Sequence, residues 1–187
     1  MSNSRASLLS ENSGLVVWFT GRPGAGKSTL ARGVQTKLQS NGAACLMIDG
    51  DILRQGLCRD LGFSIADRAE NVRRAGEVAA MGARAGLVVL VAMISPIAVA
   101  RDAAIGRLKA SGIRTLEVYV NASLEVCEAR DPKRNYQRAR AGNLPEFTGI
   151  QSPYEAPVSP DLEIKTGERD VEGCVREIYE AVSVLLR

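Results

Sequence analysis

The sequence predicts an α/β fold in which a parallel five-stranded sheet carries helices on both faces. Strand-like and helix-like segments alternate along the 187 residues, as in parallel sheets built from crossover helices. A glycine-rich phosphate loop joins the first strand to the first helix, and the third strand is apolar at nearly every position, as buried parallel strands are. We expect one domain over residues 14–187, preceded by a flexible polar tail over residues 1–13.

The phosphate loop runs from Gly21 to Ser28 and reads Gly-Arg-Pro-Gly-Ala-Gly-Lys-Ser. Glycines let successive N–H groups point at phosphate oxygens, Lys27 reaches the β- and γ-phosphates, and the Ser28 hydroxyl suits Mg²⁺. An apolar strand precedes the loop and a helix follows it, so the helix dipole favours an anion there. The predicted ATP-binding residues of the loop are Gly21, Arg22, Pro23, Gly24, Ala25, Gly26, Lys27, Ser28 and Thr29.

Apolar periodicity and turn residues predict the other elements in order. The predicted strands span residues 15–19, 43–48, 87–94, 115–120 and 162–165. The predicted helices span residues 28–38, 66–85, 98–110, 124–130 and 171–186. Because ligands bind at the carboxyl ends of parallel strands, the phosphate loop and the ends of the second and third strands should meet at one edge of the sheet.

Residues 131–160 have a different composition, with five prolines and several arginines and glycines. Long irregular segments in compact domains are usually functional, so we predict a mobile lid over an active site. A surface linker without a role is the alternative that composition leaves open.

Two carboxylates, Asp49 and Asp51, follow the second strand. They can hold Mg²⁺ or accept the proton of an attacking hydroxyl, and Asp is also a favoured helix N-cap, so both roles are compatible. The third strand lacks the Asp that holds Mg²⁺ in many nucleotide hydrolases. We therefore predict that Ser28 and Asp49 hold the ion.

Arginines cluster in the sequence around Phe63 and Asn71. Guanidinium forks match phosphate and sulfate oxygens, and Phe63 offers a face for a base. The alternative for part of the cluster, Arg73 or Arg74, is a solvated helix face. The arginines concerned are Arg54, Arg68, Arg73 and Arg74.

Composition excludes several classes of function. The chain has no histidine, which excludes histidine acid–base chemistry, and its net charge of +3 is too small to indicate nucleic-acid binding. The four cysteines form no C-x-x-C pair, so neither a zinc site nor a disulfide framework is expected. No segment has the pattern of a secretion signal or a membrane span, which predicts a cytoplasmic protein without a membrane partner.

Several motifs together resemble the adenylylsulfate (APS) kinases over about residues 15–166. The resemblance implies the P-loop kinase fold, a homodimer, Mg²⁺, and transfer of the ATP γ-phosphoryl group to the 3′-hydroxyl of adenylyl sulfate. The motifs that carry it are Asp49–Asp51, Asp60–Ser64, Ala66–Arg68, Glu70–Arg74, Ile94–Pro96, Glu128–Lys133, Ala139–Gly142, Glu146–Ile150 and Ser152–Pro157.

Carried over to the matching positions, the resemblance implies roles on both sides of the site. Asp51 would face the acceptor hydroxyl, with Lys27, Asp49 and Ser95 as the other catalytic residues. Arg130 would lie near the ATP adenine. Phe63 and Phe147 would enclose the acceptor's adenine. The implied acceptor-binding residues are Asp51, Arg54, Phe63, Arg68, Asn71, Ile94, Ser95, Lys133 and Phe147.

The lid departs from the family's usual pattern at two positions, where Gln137 and Arg138 replace lysines. This departure motivates a second hypothesis, a kinase of the same fold that acts on a different modified nucleotide. A third hypothesis is a nucleotide-binding regulator without catalysis. The intact set of Asp51, Arg68 and Asn71 argues against the third.

Overall fold

The computed structural model describes residues 14–187, so the tail predicted for residues 1–13 lies outside the described residues. Five parallel strands form one sheet in the order β2-β3-β1-β4-β5, which confirms the predicted fold class. The strands are β1 Leu15–Thr20, β2 Cys45–Asp49, β3 Val88–Ala92, β4 Arg114–Asn121 and β5 Leu162–Lys165. The helices are α1 Lys27–Ser40, α2 Gly50–Leu53, α3 Ile65–Arg84, α4 Ala98–Ala110, α5 Leu124–Arg130, α6 Asn135–Arg140 and α7 Val171–Leu185.

Alternate side chains of β1 serve two separate hydrophobic cores, one on each face of the sheet. Leu15, Val17 and Phe19 face the core that contains α1 and α7. Val16 and Trp18 face the core that contains α3 and α4. All five side chains are fully buried, so β1 is the centre of the domain and holds the start of the phosphate loop rigidly.

The strand predicted to reach Ile94 ends two residues earlier, at Ala92. The backbone turns at Ser95, which has φ 45°, in the left-handed region that non-glycine residues rarely adopt. Apolar character continues through Met93 and Ile94, so hydrophobicity did not show where the strand stops. Because the hydrogen-bonded strand ends at Ala92, Ile94 and Ser95 lie outside the sheet and line a cavity beside it.

The segment 131–160 is mostly irregular, but it contains the short helix α6, which the sequence did not predict. Asp131, four residues before the helix, satisfies its first turn: the carboxylate accepts from the backbone N–H groups of Tyr136 and Gln137 at 3.2 and 3.0 Å. Arg134 precedes α6 with φ 54°, again in the left-handed region. Whether the segment moves stays a prediction. None of the helices within residues 14–187 is long and apolar enough to span a bilayer.

Candidate active site

The phosphate loop depends on glycines at its tightest points. Gly24 has φ 77°, and a Cβ there would lie 2.9 Å from the carbonyl oxygen of Cys127. Gly26 has φ 106° and immediately precedes α1, where it leaves the first N–H groups of the helix without a side-chain cap. Those N–H groups are therefore available to an anion at the helix N-terminus.

Lys27 is 8% exposed and lies folded against its own loop. Its Nζ donates to the carbonyl oxygens of Gly21 and Arg22 at 2.9 and 2.8 Å. Burial lowers the pKa of Lys27 from 10.5 to about 8, although Cys127, Asp51 and Asp49 oppose the shift. A polyphosphate beside this ammonium would favour the charged form and raise the pKa again.

This shift predicts that ATP binding takes up a proton in the pH range above about 8. In that window the free protein has begun to lose the Lys27 proton, whereas the complex keeps it. Affinity for ATP should therefore fall as pH rises, by at most about tenfold per unit. Calorimetry in buffers of different ionisation enthalpy measures the uptake. Lys27→Met is the control, because it removes the titrating group. Zero uptake by the unmodified protein with constant affinity would contradict the assignment.

Asp49 links the phosphate loop to α2. Its Oδ2 accepts from Ser28 Oγ at 2.8 Å, and its Oδ1 accepts from the Asp51 backbone N–H at 2.9 Å. Asp49 is thus the N-cap of α2, and it also faces the hydroxyl predicted to hold Mg²⁺. The side chain of Asp51 is free of that task. It is 67% exposed and forms an ion pair with Lys133 of the segment 131–160.

Arg54 and Arg68 both lie against the ring of Phe63. The guanidinium carbons lie 4.4 and 5.6 Å from the ring centroid. Arg68 is nearly buried, and burial followed by the charge of Arg54 lowers its pKa. Two adjacent positive charges at a partly buried site favour the binding of an anion.

Arg68 also joins α3 to the segment 131–160, a contact that the sequence did not indicate. Its Nε donates to the Phe63 carbonyl at 2.8 Å and its Nη1 to Thr148 Oγ1 at 2.8 Å. Its Nη2 donates to the Glu146 carbonyl. Arg68, predicted to bind an anion, therefore also attaches the segment 131–160 to α3. Arg73 and Arg74, by contrast, form surface ion pairs with Glu70 and, for Arg74, with Asp60.

Asn71 is 3% exposed and its Nδ2 has no hydrogen-bond partner. Its side chain lines the cavity between the phosphate loop and α2. An unpartnered buried amide is costly unless a ligand satisfies it, which favours the predicted role of Asn71 in binding.

One cavity of about 1040 Å³ brings together most of the predicted residues. From the ATP side its lining includes Pro23, Gly24, Ala25, Gly26, Lys27, Ser28, Thr29 and Arg130. From the acceptor side its lining includes Asp49, Asp51, Arg54, Phe63, Arg68, Asn71, Ile94, Ser95, Lys133 and Phe147.

Gly21 and Arg22 do not line this cavity. The Arg22 side chain points elsewhere, with Nη1 3.4 Å from the Ala122 carbonyl oxygen and the guanidinium 5.5 Å from the Tyr154 ring centroid. Gly21 lies against β4, where a Cβ would be 2.4 Å from the Val120 carbonyl oxygen. That both bind ATP directly stays a prediction; in this structure both carbonyls accept from Lys27.

Phe63 and Phe147 both line the cavity, but they contact different partners. Phe147 packs edge-on against Tyr136, with ring centroids 4.9 Å apart and an interplanar angle of 88°. The Tyr136 hydroxyl donates to the Pro23 carbonyl at 2.9 Å, so α6 rests on the phosphate loop. Tyr136 was not predicted as a site residue. The signal available was an aromatic residue in a proline-rich segment.

Arg130 and Thr166 support the loop from the other side. Arg130 Nη1 donates to the Ala25 carbonyl at 3.2 Å and to Thr166 Oγ1 at 3.1 Å. Thr166 Oγ1 donates to the same carbonyl at 2.8 Å. Thr166 had no sequence signal, because it follows a short strand that lies far from the loop in the chain.

A profile of the adenylylsulphate kinase family matches residues 13–165. The chain belongs to this family. Adenylyl-sulfate kinase of Prochlorococcus marinus is 49% identical over 164 residues, which are 88% of this chain and 81% of the relative. The enzyme of the same name from Vibrio parahaemolyticus is 51% identical over 160 residues, 86% of this chain and 77% of the relative.

Solved structures show the family fold as well. The Mycobacterium tuberculosis APS kinase CysC in complex with AMPPNP and APS matches with a TM-score of 0.89 and 45% identity, over 91% of this chain and 98% of that one. A gluconokinase from Sinorhizobium meliloti matches with a TM-score of 0.59 at 18% identity, over 94% of each chain, which shows the shared kinase fold alone.

Proposed function

We propose that the protein transfers the γ-phosphoryl group of ATP to the 3′-hydroxyl of adenylyl sulfate, giving ADP and 3′-phosphoadenylyl sulfate. The observation that carries the proposal is the single cavity, in which the phosphate loop and the Arg54–Arg68–Asn71 group open onto the same space. Family membership and relatives of that name support the same reaction. The M. tuberculosis neighbour binds APS together with an ATP analogue.

The chain's own residues supply positioning and charge. The loop N–H groups and the start of α1 hold the phosphates, and Lys27 turns from its loop carbonyls to the transferring group. Asp51 lines the cavity and its exposed carboxylate pairs with Lys133 instead of capping α2, so it can accept the proton of the acceptor hydroxyl. The Asp51–Lys133 ion pair would then break or share its charge with the acceptor.

Ser28 and Asp49 fit a Mg²⁺ ion, because their oxygens lie 2.8 Å apart beside the phosphate loop. Within residues 14–187 no group of three His, Cys, Asp or Glu could hold a metal without help. Mg²⁺ usually takes few protein ligands and completes its shell with water and phosphate oxygens, so two protein ligands suffice. When bound, the ion neutralises charge on the β- and γ-phosphates.

A coupled assay of ADP release with adenylyl sulfate tests the reaction. We expect ADP release that requires adenylyl sulfate and saturates with it. Parallel assays with other sulfated or phosphorylated nucleotides test the second hypothesis, which one observation favours: Arg138, which stands where the family usually has lysine, lines the cavity. Faster turnover of another nucleotide would identify that nucleotide as the acceptor in place of adenylyl sulfate. ATP binding without any turnover would support the regulator instead.

Arg68→Ala should raise the KM for the acceptor about 10- to 100-fold, the usual effect of losing a hydrogen bond to a charged group. The KM for ATP should change little, because the side-chain hydrogen bonds of Arg68 go to Phe63, Thr148 and Glu146 and none goes to the phosphate loop. Steady-state kinetics with each substrate varied in turn give both values. Arg73→Ala, on the exposed face of the same helix, is the matched control. A rise in the KM for ATP alone would contradict the assignment of Arg68 to the acceptor side of the site.

The homodimer and the cytoplasmic location that the sequence suggests stay predictions. A hexameric APS kinase from Thiobacillus denitrificans matches this chain with a TM-score of 0.69 and 30% identity, over 92% of this chain and 29% of that one. Light scattering on the purified protein would give its own assembly state.

A further inference from the structure

The turn after β3 is strained, and it forms part of the acceptor side of the cavity. Ser95 lines the cavity with φ 45°, and its side chain is 2% exposed. A non-glycine residue stays in this region only where its surroundings hold it there. The Ser95 hydroxyl accepts from Trp18 Nε1 at 3.1 Å, so it is committed to the core. This contact favours a structural part for Ser95, and its predicted catalytic role stays a prediction.

Arg101 of α4 hydrogen-bonds to the same turn from outside the cavity. It is 1% exposed, lies outside the lining of the cavity, and donates from Nη1 to the Ser95 carbonyl at 2.9 Å. Its charge is balanced by Glu117 of β4, with 3.0 Å between Nε and Oε1, an ion pair whose alignment falls short of a hydrogen bond. Burying a cation costs free energy even when the cation is paired. We therefore expect the hydrogen bonds of Arg101 to serve a function.

Arg101 also fixes the end of the segment 131–160. Its Nη1 donates to the Glu155 carbonyl at 2.9 Å, the same distance as to Ser95. Glu155 in turn donates from its backbone N–H to the Pro96 carbonyl at 2.9 Å, and its carboxylate accepts from the Ala98 N–H at 2.6 Å. Glu155 therefore caps α4, which has no side-chain cap from its own Ile97.

A second link fastens the adjoining residues to the sheet. The hydroxyls of Tyr154 and Thr20 lie 3.1 Å apart, and Thr20 Oγ1 donates to the Ile94 carbonyl at 2.8 Å. Ile94 and Ser95, two of the cavity-lining residues of the turn, are thus held through their carbonyls by side chains that do not line the cavity.

We propose that Arg101 is a positioning residue for the acceptor. One guanidinium nitrogen donates to both the Ser95 carbonyl and the Glu155 carbonyl. The turn that lines the acceptor side of the cavity and the end of the segment 131–160 therefore keep a fixed relative position. This inference rests on the proposed function, because it assigns the acceptor to that wall. The ATP side of the cavity has no hydrogen bond to Arg101, so its binding of ATP should not depend on this residue.

Two variants test the proposal without leaving a buried charge unpaired. Arg101→Lys keeps the charge, but the lysine nitrogen is one bond closer to the backbone than Nη1 and so falls short of the two carbonyls. The double variant Arg101→Met/Glu117→Gln removes both charges together. Arg107→Met, an exposed arginine on the same helix that pairs with Glu77, is the matched control. Thermal unfolding of each variant confirms that the protein is folded.

Two readouts separate positioning from general damage. Trp18 is the chain's single tryptophan, so its indole N–H gives one resonance, which reports the bond to Ser95. We expect both Arg101 variants to shift this resonance and speed its solvent exchange. We also expect the acceptor KM to rise at least about tenfold, with the dissociation constant for ATP within about twofold of the unmodified protein.

The outcomes decide the matter. An unchanged indole resonance in both variants, an unchanged acceptor KM, or an equal loss of ATP affinity would overturn the proposal. If the unmodified protein fails to use adenylyl sulfate, the proposed function fails, and the indole resonance by itself then decides whether Arg101 holds Ser95. Near-normal behaviour of Arg107→Met is required for either positive result to count in favour.

Discussion

Lys27→Ala is expected to lower kcat on the order of 10³-fold, because the variant loses the cation that neutralises charge on the transferring phosphoryl group. The fold should survive. Lys27 is buried with a pKa lowered to about 8, so its charged form is already unfavourable there, and alanine leaves no unpaired charge behind. The two loop carbonyls that it contacts lose a hydrogen-bond donor, a cost that is small beside the stability of the whole domain.

Steady-state turnover and thermal unfolding of Lys27→Ala test this together. Arg32→Ala changes an exposed residue of the same helix and should leave both measurements as they are. Near-normal turnover in a folded Lys27→Ala protein would mean that the loop does not bind the donor. Turnover lost together with the cooperative unfolding transition would point to a structural role for the lysine.

Asp51→Asn is expected to lower kcat about 10²- to 10⁴-fold, the usual contribution of a general base. The substitution keeps the size of the side chain and removes the charge that can accept the hydroxyl proton. With no histidine in the chain, a carboxylate is the natural base. ATP binding without acceptor should change less, because Lys27, Ser28 and the loop N–H groups remain.

Asp49→Asn separates this role from that of its neighbour. Asp49 caps α2 and accepts from Ser28, so its loss should weaken Mg²⁺-dependent ATP binding and stability together. Lys133→Met removes the cation that pairs with Asp51 and shows how far that ion pair matters. If Asp51→Asn keeps most of its kcat while Asp49→Asn is inactive, Asp49 is the essential acid and the assignment is reversed.

The elements that the sequence predicted well are those whose cause is local. A strand that is apolar throughout, such as β1, and a helix with regular apolar spacing, such as α3, differed from prediction by only one or two residues at their ends. The phosphate loop was equally clear, because Gly24 and Gly26 are needed for its backbone. The end of β3 was misplaced, since only the contacts of Ser95 with distant residues set that turn.

The sequence predicted which residues gather at the cavity where polar chemistry and strand ends coincided. Asp49 and Asp51 follow β2 directly, but which of them caps α2 depends on backbone geometry that spacing does not determine. The attachment of Arg68 to Glu146 and Thr148 joins residues about eighty positions apart, and nothing local marks such a pairing. That Arg22 contacts ATP stays a prediction, because motif membership does not determine where its side chain points.

The segment 131–160 contacts both halves of the cavity. Tyr136 bonds to Pro23 on the phosphate loop, and Glu146 and Thr148 bond to Arg68 on the acceptor side. Any free energy that one substrate gains by ordering this segment is therefore shared with the other. Thermodynamic linkage makes such coupling reciprocal, so the factor by which ATP tightens acceptor binding must equal the factor by which the acceptor tightens ATP binding.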